Sequence, residues 1–186
     1  MKKKKRLASD FDYESVKLVM IEIAAEGDRA AVILAAAKLD MILEQALKQL
    51  LIPPTSNVDD LFEGDAPLNT FHAKTHLAYR IGLIDTHFAH ALHLIRRLRN
   101  AFAHELSSSS LSNGAHRDRV REIVAPFRTY QILETFLSHS PNREPVPSPS
   151  ALFRAAVGIM MVRLEQAYHT RRSLNEMKPM ALISVS

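Results

Sequence analysis

Two small groups of side chains in this sequence have the types and spacing to do chemistry. The first is the run Arg99-Asn100-Ala101-Phe102-Ala103-His104, which places a guanidinium, a side-chain amide and an imidazole close together on one stretch of chain. On a helical wheel Arg99 joins Phe88, Leu92, Ile95, Phe102 and Leu106 in an apolar stripe, while His90, His93, Arg97, Asn100 and His104 form a polar stripe opposite. At about 100° per residue, Arg99 and His104 point about 140° apart on a regular helix. A guanidinium on an apolar stripe needs an anion, because an unpaired buried charge is costly. Asp60, Glu63 and Asp65 precede it in the chain, and a bidentate Arg99–Asp65 ion pair would fasten that loop to the helix.

The second group is His72 and His76, spaced i,i+4 on one helix, with His87 or His90 across a hairpin as a candidate third metal ligand. The pair lacks the glutamate of a zincin motif and encloses no carboxylate, and surface histidines are far commoner than ligands. No metal is therefore assigned and no cofactor is expected. No serine sits in a nucleophile elbow, and there is no glycine-rich phosphate loop.

The elements that must carry these residues are helices. Apolar residues recur at helical spacing between clear stop signals, and no stretch alternates as a half-buried strand would. The expected fold is all-α, a single-domain bundle of five to six helices. A first helix runs from Asp10 to Glu26, and Asp28 is a candidate cap for a second that reaches Leu51 and stops at Pro53-Pro54. That second helix is apolar nearly all round, so it is either the central helix or a dimer face. Asp65 as N-cap and Pro67 in the first turn start a third helix, which ends near Gly82. Asp85 caps a fourth, His87 to His104, and the short link makes these two helices antiparallel neighbours. A further stretch, His116 to Leu137, has Pro126 as a bending point, and a last helix spans Ala151 to Arg172. The division that follows is a basic disordered start (1–9), the bundle (10–140), a proline-rich linker (141–150), a C-terminal helix packed on the bundle (151–172) and an irregular tail (173–186).

Composition narrows the class. With 186 residues, 47% of them hydrophobic and 24% charged, the chain is long enough for one sizeable core. It has no cysteine, which removes disulfides and thiolate zinc sites and fits a reducing compartment. Lys2 to Arg6 resemble the start of a signal peptide, yet Leu7-Ala-Ser-Asp-Phe-Asp12 brings acid where an apolar segment is required. No run approaches the ~18 apolar residues of a membrane span, so a cytoplasmic protein is expected. Lys2 to Arg6 also carry more positive charge than the whole net of +4, leaving the body slightly acidic. A local excess remains in Arg96, Arg97, Arg99, Arg117, Arg119, Arg121 and Arg128 against Glu105, Asp118 and Glu122. Arg96 and Arg97 are the candidate phosphate-binding pair, set against the commoner role of arginines as solvated helix decoration.

The Arg99-Asn100-x-x-x-His104 run resembles the Arg-x4-6-His motif of HEPN domains, all-α proteins many of which cut RNA without metal, often as dimers. By that resemblance Arg99 stabilises the phosphate charge, His104 is general acid or base, and Asn100 orients them. Because the wheel separates Arg99 from His104, convergence on one phosphate demands either a distorted helix after Arg99 or a His104 from a second subunit. A wider stretch, Leu61-Phe-Glu-Gly-Asp-Ala-Pro-Leu68, Ala78-Tyr-Arg-Ile-Gly-Leu-Ile84 and Leu94-Ile-Arg-Arg-Leu-Arg-Asn-Ala-Phe-Ala-His104, resembles the mannitol operon repressor (MltR-like) family across about Asp28 to Leu137. That resemblance implies an all-helical regulator of transcription working through protein partners. The sequence agrees in offering no short turn that feeds a DNA recognition helix. Two functions are thus expected: first a regulatory interaction protein, with a homodimer and a protein partner, and second a HEPN-type metal-independent endoribonuclease or toxin, whose partners would be RNA and an antitoxin.

Overall fold

Alanine and leucine crowd residues 28–50, and a helix of that composition must be covered on most sides. The computed structural model describes residues 13–105, 110–128, 131–138 and 145–170, the backbone alone for 13–15 and 168–170. The expected basic start, Leu106 of the apolar stripe, part of the proline-rich linker and the tail lie outside these residues. The helices are α1 (Tyr13–Ala25), α2 (Asp28–Leu50), α3 (Phe71–Arg80), α4 (Thr86–His104), α5 (Gly114–Val124), α6 (Gln131–Ser138) and α7 (Pro149–Thr170), with a 3-10 turn at Ala125–Phe127. No strand occurs among the described residues, and no helix among them is long and apolar enough to cross a membrane. The expectation of five to six helices gives way to seven α-helices among the described residues because the stretch from His116 to Leu137 holds two of them. Pro126 lacks the N–H that a continuous ladder needs, and the chain tightens into the 3-10 turn there.

α2 is the central helix. Its residues Ala31, Val32, Ala35, Ala36, Leu39, Ile42, Leu43, Ala46 and Leu47 are buried, and α7, α4, α3 and α1 pack around it. The alanines let neighbours approach closely, while each buried leucine contributes about 1.5–3 kcal/mol. α7 packs on α2, α5, α6 and α1 and buries Phe153, Ala156, Val157, Met160, Met161 and Leu164 among them. Gly158 gives α7 a bare spot for α6, since a Cβ there would lie 2.5 Å from the Phe136 ring.

α3 and α4 form the expected antiparallel hairpin. Leu83 N donates to Ala78 O at 2.9 Å and Gly82 N to Tyr79 O at 3.0 Å, with Gly82 at φ +71°, a Schellman ending that only glycine adopts without strain. Asp85 caps α4, its Oδ1 accepting from Phe88 N at 2.8 Å. Two expected caps are corrected. Thr70, not Asp65, caps α3, its hydroxyl accepting from Ala73 N at 3.1 Å; the chain around Asp65 is instead a turn braced by Asn69 Nδ2 donating to Gly64 O at 2.7 Å. Asp28 is the first residue of α2 behind an N-cap Gly27 that makes no side-chain cap bond.

The Asp28 carboxylate ties distant segments instead. Its Oδ2 accepts from Leu111 N at 2.8 Å and Ser110 Oγ at 3.2 Å, while Oδ1 accepts from Ser150 Oγ at 2.6 Å and lies 3.7 Å from Arg154 Nη2. Arg154 also donates to the carbonyls of Ile23 and Glu26, closing the end of α1. Replacing Asp28 by alanine strips the Leu111 N–H of its acceptor at a residue with no exposed surface. The Asp28→Ala variant should lose about 2 kcal/mol and melt about 4–8 °C lower; an unchanged melting temperature in a thermal scan would show that the knot carries no stability.

Candidate functional site

The elements that hold the motif are fastened from both ends. At the near end Lys74 of α3, only 3% exposed, sits 2.6 Å from Asp40 Oδ1 and donates to Glu44 Oε2 at 2.9 Å, fixing α3 on α2. At the far end the Arg29 guanidinium donates to the Glu105 carbonyl, and the Glu105 carboxylate lies 3.1 Å from Nε2 of the buried His116. That imidazole packs on Phe102 with centroids 4.8 Å apart and faces the Ser110 carbonyl through Nδ1 at 3.3 Å.

Between those anchors α4 stays helical through His104, and Glu105 N still donates to Ala101 O at 2.9 Å. Arg99 is exposed, Asn100 half-buried and His104 exposed. The expectation that Arg99 is buried on the apolar face is corrected. The buried residues of α4 are Ala89, Ala91, Leu92, Leu94, Ile95, Leu98 and Phe102, an arc centred about 60–70° away from Arg99. Phe88 is only half-buried, so it pulled the apparent stripe toward the arginine.

The expected Arg99–Asp65 ion pair is also corrected. Among the described residues no ion pair joins Arg99 to Asp65, Glu63 or Asp60. The 59–69 loop is held by α2 instead: Phe62 is buried, Lys48 lies over its ring at 5.1 Å from the centroid, and Lys48 Nζ is 3.9 Å from Asp59 Oδ2. Those contacts satisfy the loop without α4.

Arg97 is exposed like Arg99, and Arg96 is half-buried with its Nε enclosed and lacking a hydrogen-bond partner. The other arginines of the local excess are not all free: Arg117 and Arg121 lie 3.7 and 3.4 Å from Asp118. The end of α4 is thus a cationic surface without carboxylates of its own. Since the helix is regular, Arg99 and His104 cannot meet on one phosphate within a single chain.

The histidines regroup. His72 and His76 share a face of α3 as expected, but the side chain beside them is His93, not His87 or His90. His90 reaches α5, 3.2 Å from Glu122 Oε2, and His87 borders a groove with Asp85, Phe127 and Arg163. His93 escaped the sequence reading because hairpin counting from Gly82 offers His90 and His93 alike, and only the roll of α4 decides between them.

Burial, His76 and Arg96 hold His72 below the ordinary 6.5, and burial, His76, His72, Arg96 and Arg97 do the same for His93. Burial pushes the Glu44 carboxyl up, but hydrogen bonds from Lys48 and Lys74 outweigh it and hold Glu44 below the ordinary 4.5. In each case the unfolded chain binds protons more readily, so stability rises with pH across the window. The urea midpoint should fall as pH drops below 6.5 and fall again below 4.5; His93→Gln should flatten the upper part, and an unchanged upper part would disprove the assignment. The Arg99→Ala variant should stay within about 0.5 kcal/mol of the parent, as surface changes do, and a melting temperature several degrees lower would restore an internal ion pair. Set against protein-family models, curated proteins and solved structures, the chain matches none of them, so its function has to be argued from this surface.

Proposed function

We propose that this chain is a regulatory helical protein that acts by binding a protein partner, as its resemblance to the mannitol operon repressor family implies, and that the cationic end of α4 makes the contact. One observation carries the reading: Arg97 and Arg99 are exposed and Arg96 half-enclosed, with no carboxylate paired to any of them among the described residues. An acidic segment of a partner would satisfy this surface at little cost in reorganisation, because α4 is held at its start by the Asp85 cap and the α3 turn and at its end by Arg29 on the Glu105 carbonyl. Self-association through α2 belongs to the same reading. Ile33, Ala37 and Met41 recur at i,i+4,i+8 on the outer face of that helix, with Ile33 39% and Met41 42% exposed, and a second copy is a fitting cover for them.

A second reading, a HEPN-type endoribonuclease or toxin, is favoured by the exposure of Arg99 and His104 together, since neither is spent on an ion pair among the described residues. The straight helix sets its condition. Arg99 of one copy and His104 of another would have to flank the same phosphate, so the enzyme would be an obligate dimer.

Charge reversal separates the readings. Arg97→Glu/Arg99→Glu should fail to restore the transcript levels altered by deleting the gene, while melting like the parent; full restoration would refute the partner surface. In buffer with chelator, single-stranded RNA should survive the parent protein as well as it survives Arg99→Ala/His104→Ala. Cleavage confined to the parent would replace the regulator by the enzyme.

A further inference from the structure

His72 and His76 stand one turn apart on α3, and His93 faces them from α4. Their ring centroids are 4.4 Å (His72 to His76), 5.3 Å (His72 to His93) and 5.0 Å (His76 to His93) apart, and one ligand nitrogen from each lies within 4.8 Å of the other two. We propose that these three histidines form a binding site for a divalent ion of the zinc class, with a fourth position open to solvent.

Three features support the site. The donors are all imidazoles, which suit zinc, copper, nickel and cobalt, whereas magnesium and calcium require oxygen ligands. The scaffold is rigid where it must be and loose where it must close. Two ligands at i,i+4 share a helix face, the Gly82 turn fixes α4 beside it, and the exposed His72 and His76 rings can rotate inward. Tetrahedral zinc at about 2.0–2.1 Å from each nitrogen sets the nitrogens about 3.4 Å apart, so from separations within 4.8 Å the rings need to close by at most about 1.4 Å. The protonation state is also suitable: burial and neighbouring positive groups favour neutral rings at His72 and His93, and only the neutral ring ligates.

The surroundings specify the fourth ligand. Arg96 and Arg97 border the cluster, so a bound dication would share its space with two guanidiniums. A water, or better an anion such as phosphate or a carboxylate, would complete the tetrahedron and offset that charge. This site adjoins the proposed regulatory surface through Arg96 and Arg97 but shares no ligand with it, so either can fail alone.

The test uses the full chain after dialysis against chelator, titrated with Zn2+ calorimetrically at neutral pH and with Co2+ followed by visible absorption. One equivalent of zinc should bind, Co2+ should show the intense band of tetrahedral coordination, and excess Mg2+ should not compete. His76→Ala and His93→Ala should each weaken zinc at least about tenfold, and His90→Ala should leave it unchanged. Because His72 and His76 are exposed, the His72→Ala/His76→Ala variant keeps the test valid even where His93→Ala fails to fold, with helix content checked by circular dichroism. Absence of stoichiometric binding, zinc affinity unchanged in the double variant, or an equal loss in His90→Ala would overturn the site.

Discussion

A single ammonium group withdrawn from water sets the roll of α3, and with it the face that α3 and α4 show to solvent. Lys74 is gripped by Asp40 and Glu44, one turn apart on α2. A lysine buried without such partners would lose its charge or its place. Because His72 and His76 flank Lys74 at i−2 and i+2, turning the lysine inward turns both histidines outward. Glu44 passes the arrangement on through Lys48 to Asp59, 2.8 and 3.9 Å away in succession, so the same chain of charges secures the loop that precedes α3.

Much of this was legible in the chain itself. Asp85, Gly82 and Pro53-Pro54 act locally, through a cap, a left-handed turn and a missing N–H, so their effects can be read without knowing the neighbours. The central role of α2 was legible too, as one of two alternatives, because so wide an apolar surface has few places to go. What escaped depends on which way a helix rolls in its setting. Arg99 lies near the edge of the buried arc of α4, and a wheel drawn through Phe88 and Leu106 moved the apparent centre toward it. His93 and His90 differ by one turn, and the choice between them is made by packing on α2 and α5. Asp28 had the chemistry of a cap and found stronger partners in Leu111 and Ser150, far away in sequence.

The cationic end of α4 owes its character to the same economy. Every nearby carboxylate with a described contact is committed elsewhere: Glu105 to His116, Glu122 to His90, Asp118 to Arg117 and Arg121. Arg96, Arg97 and Arg99 are left over on α4, which is held by the Asp85 cap at its start and by Arg29 on the Glu105 carbonyl at its end. A rigid helix with unbalanced charge suits recognition of a preformed acidic surface. It suits intramolecular acid-base chemistry poorly, since Arg99 and His104 diverge.

The position of α7 bears on how the chain acquires its structure. α2 and its broadest cover, α7, are about 100 residues apart in the chain, from Leu50 to Pro149. The Asp28 knot likewise waits for Ser110 and then Ser150 to arrive. Until α7 has followed α2 out of the ribosome, the alanine- and leucine-rich α2 has an unfilled flank. Over that interval the nascent chain shows apolar helix surface to solvent, so holding factors that shield such helices would bear directly on its yield.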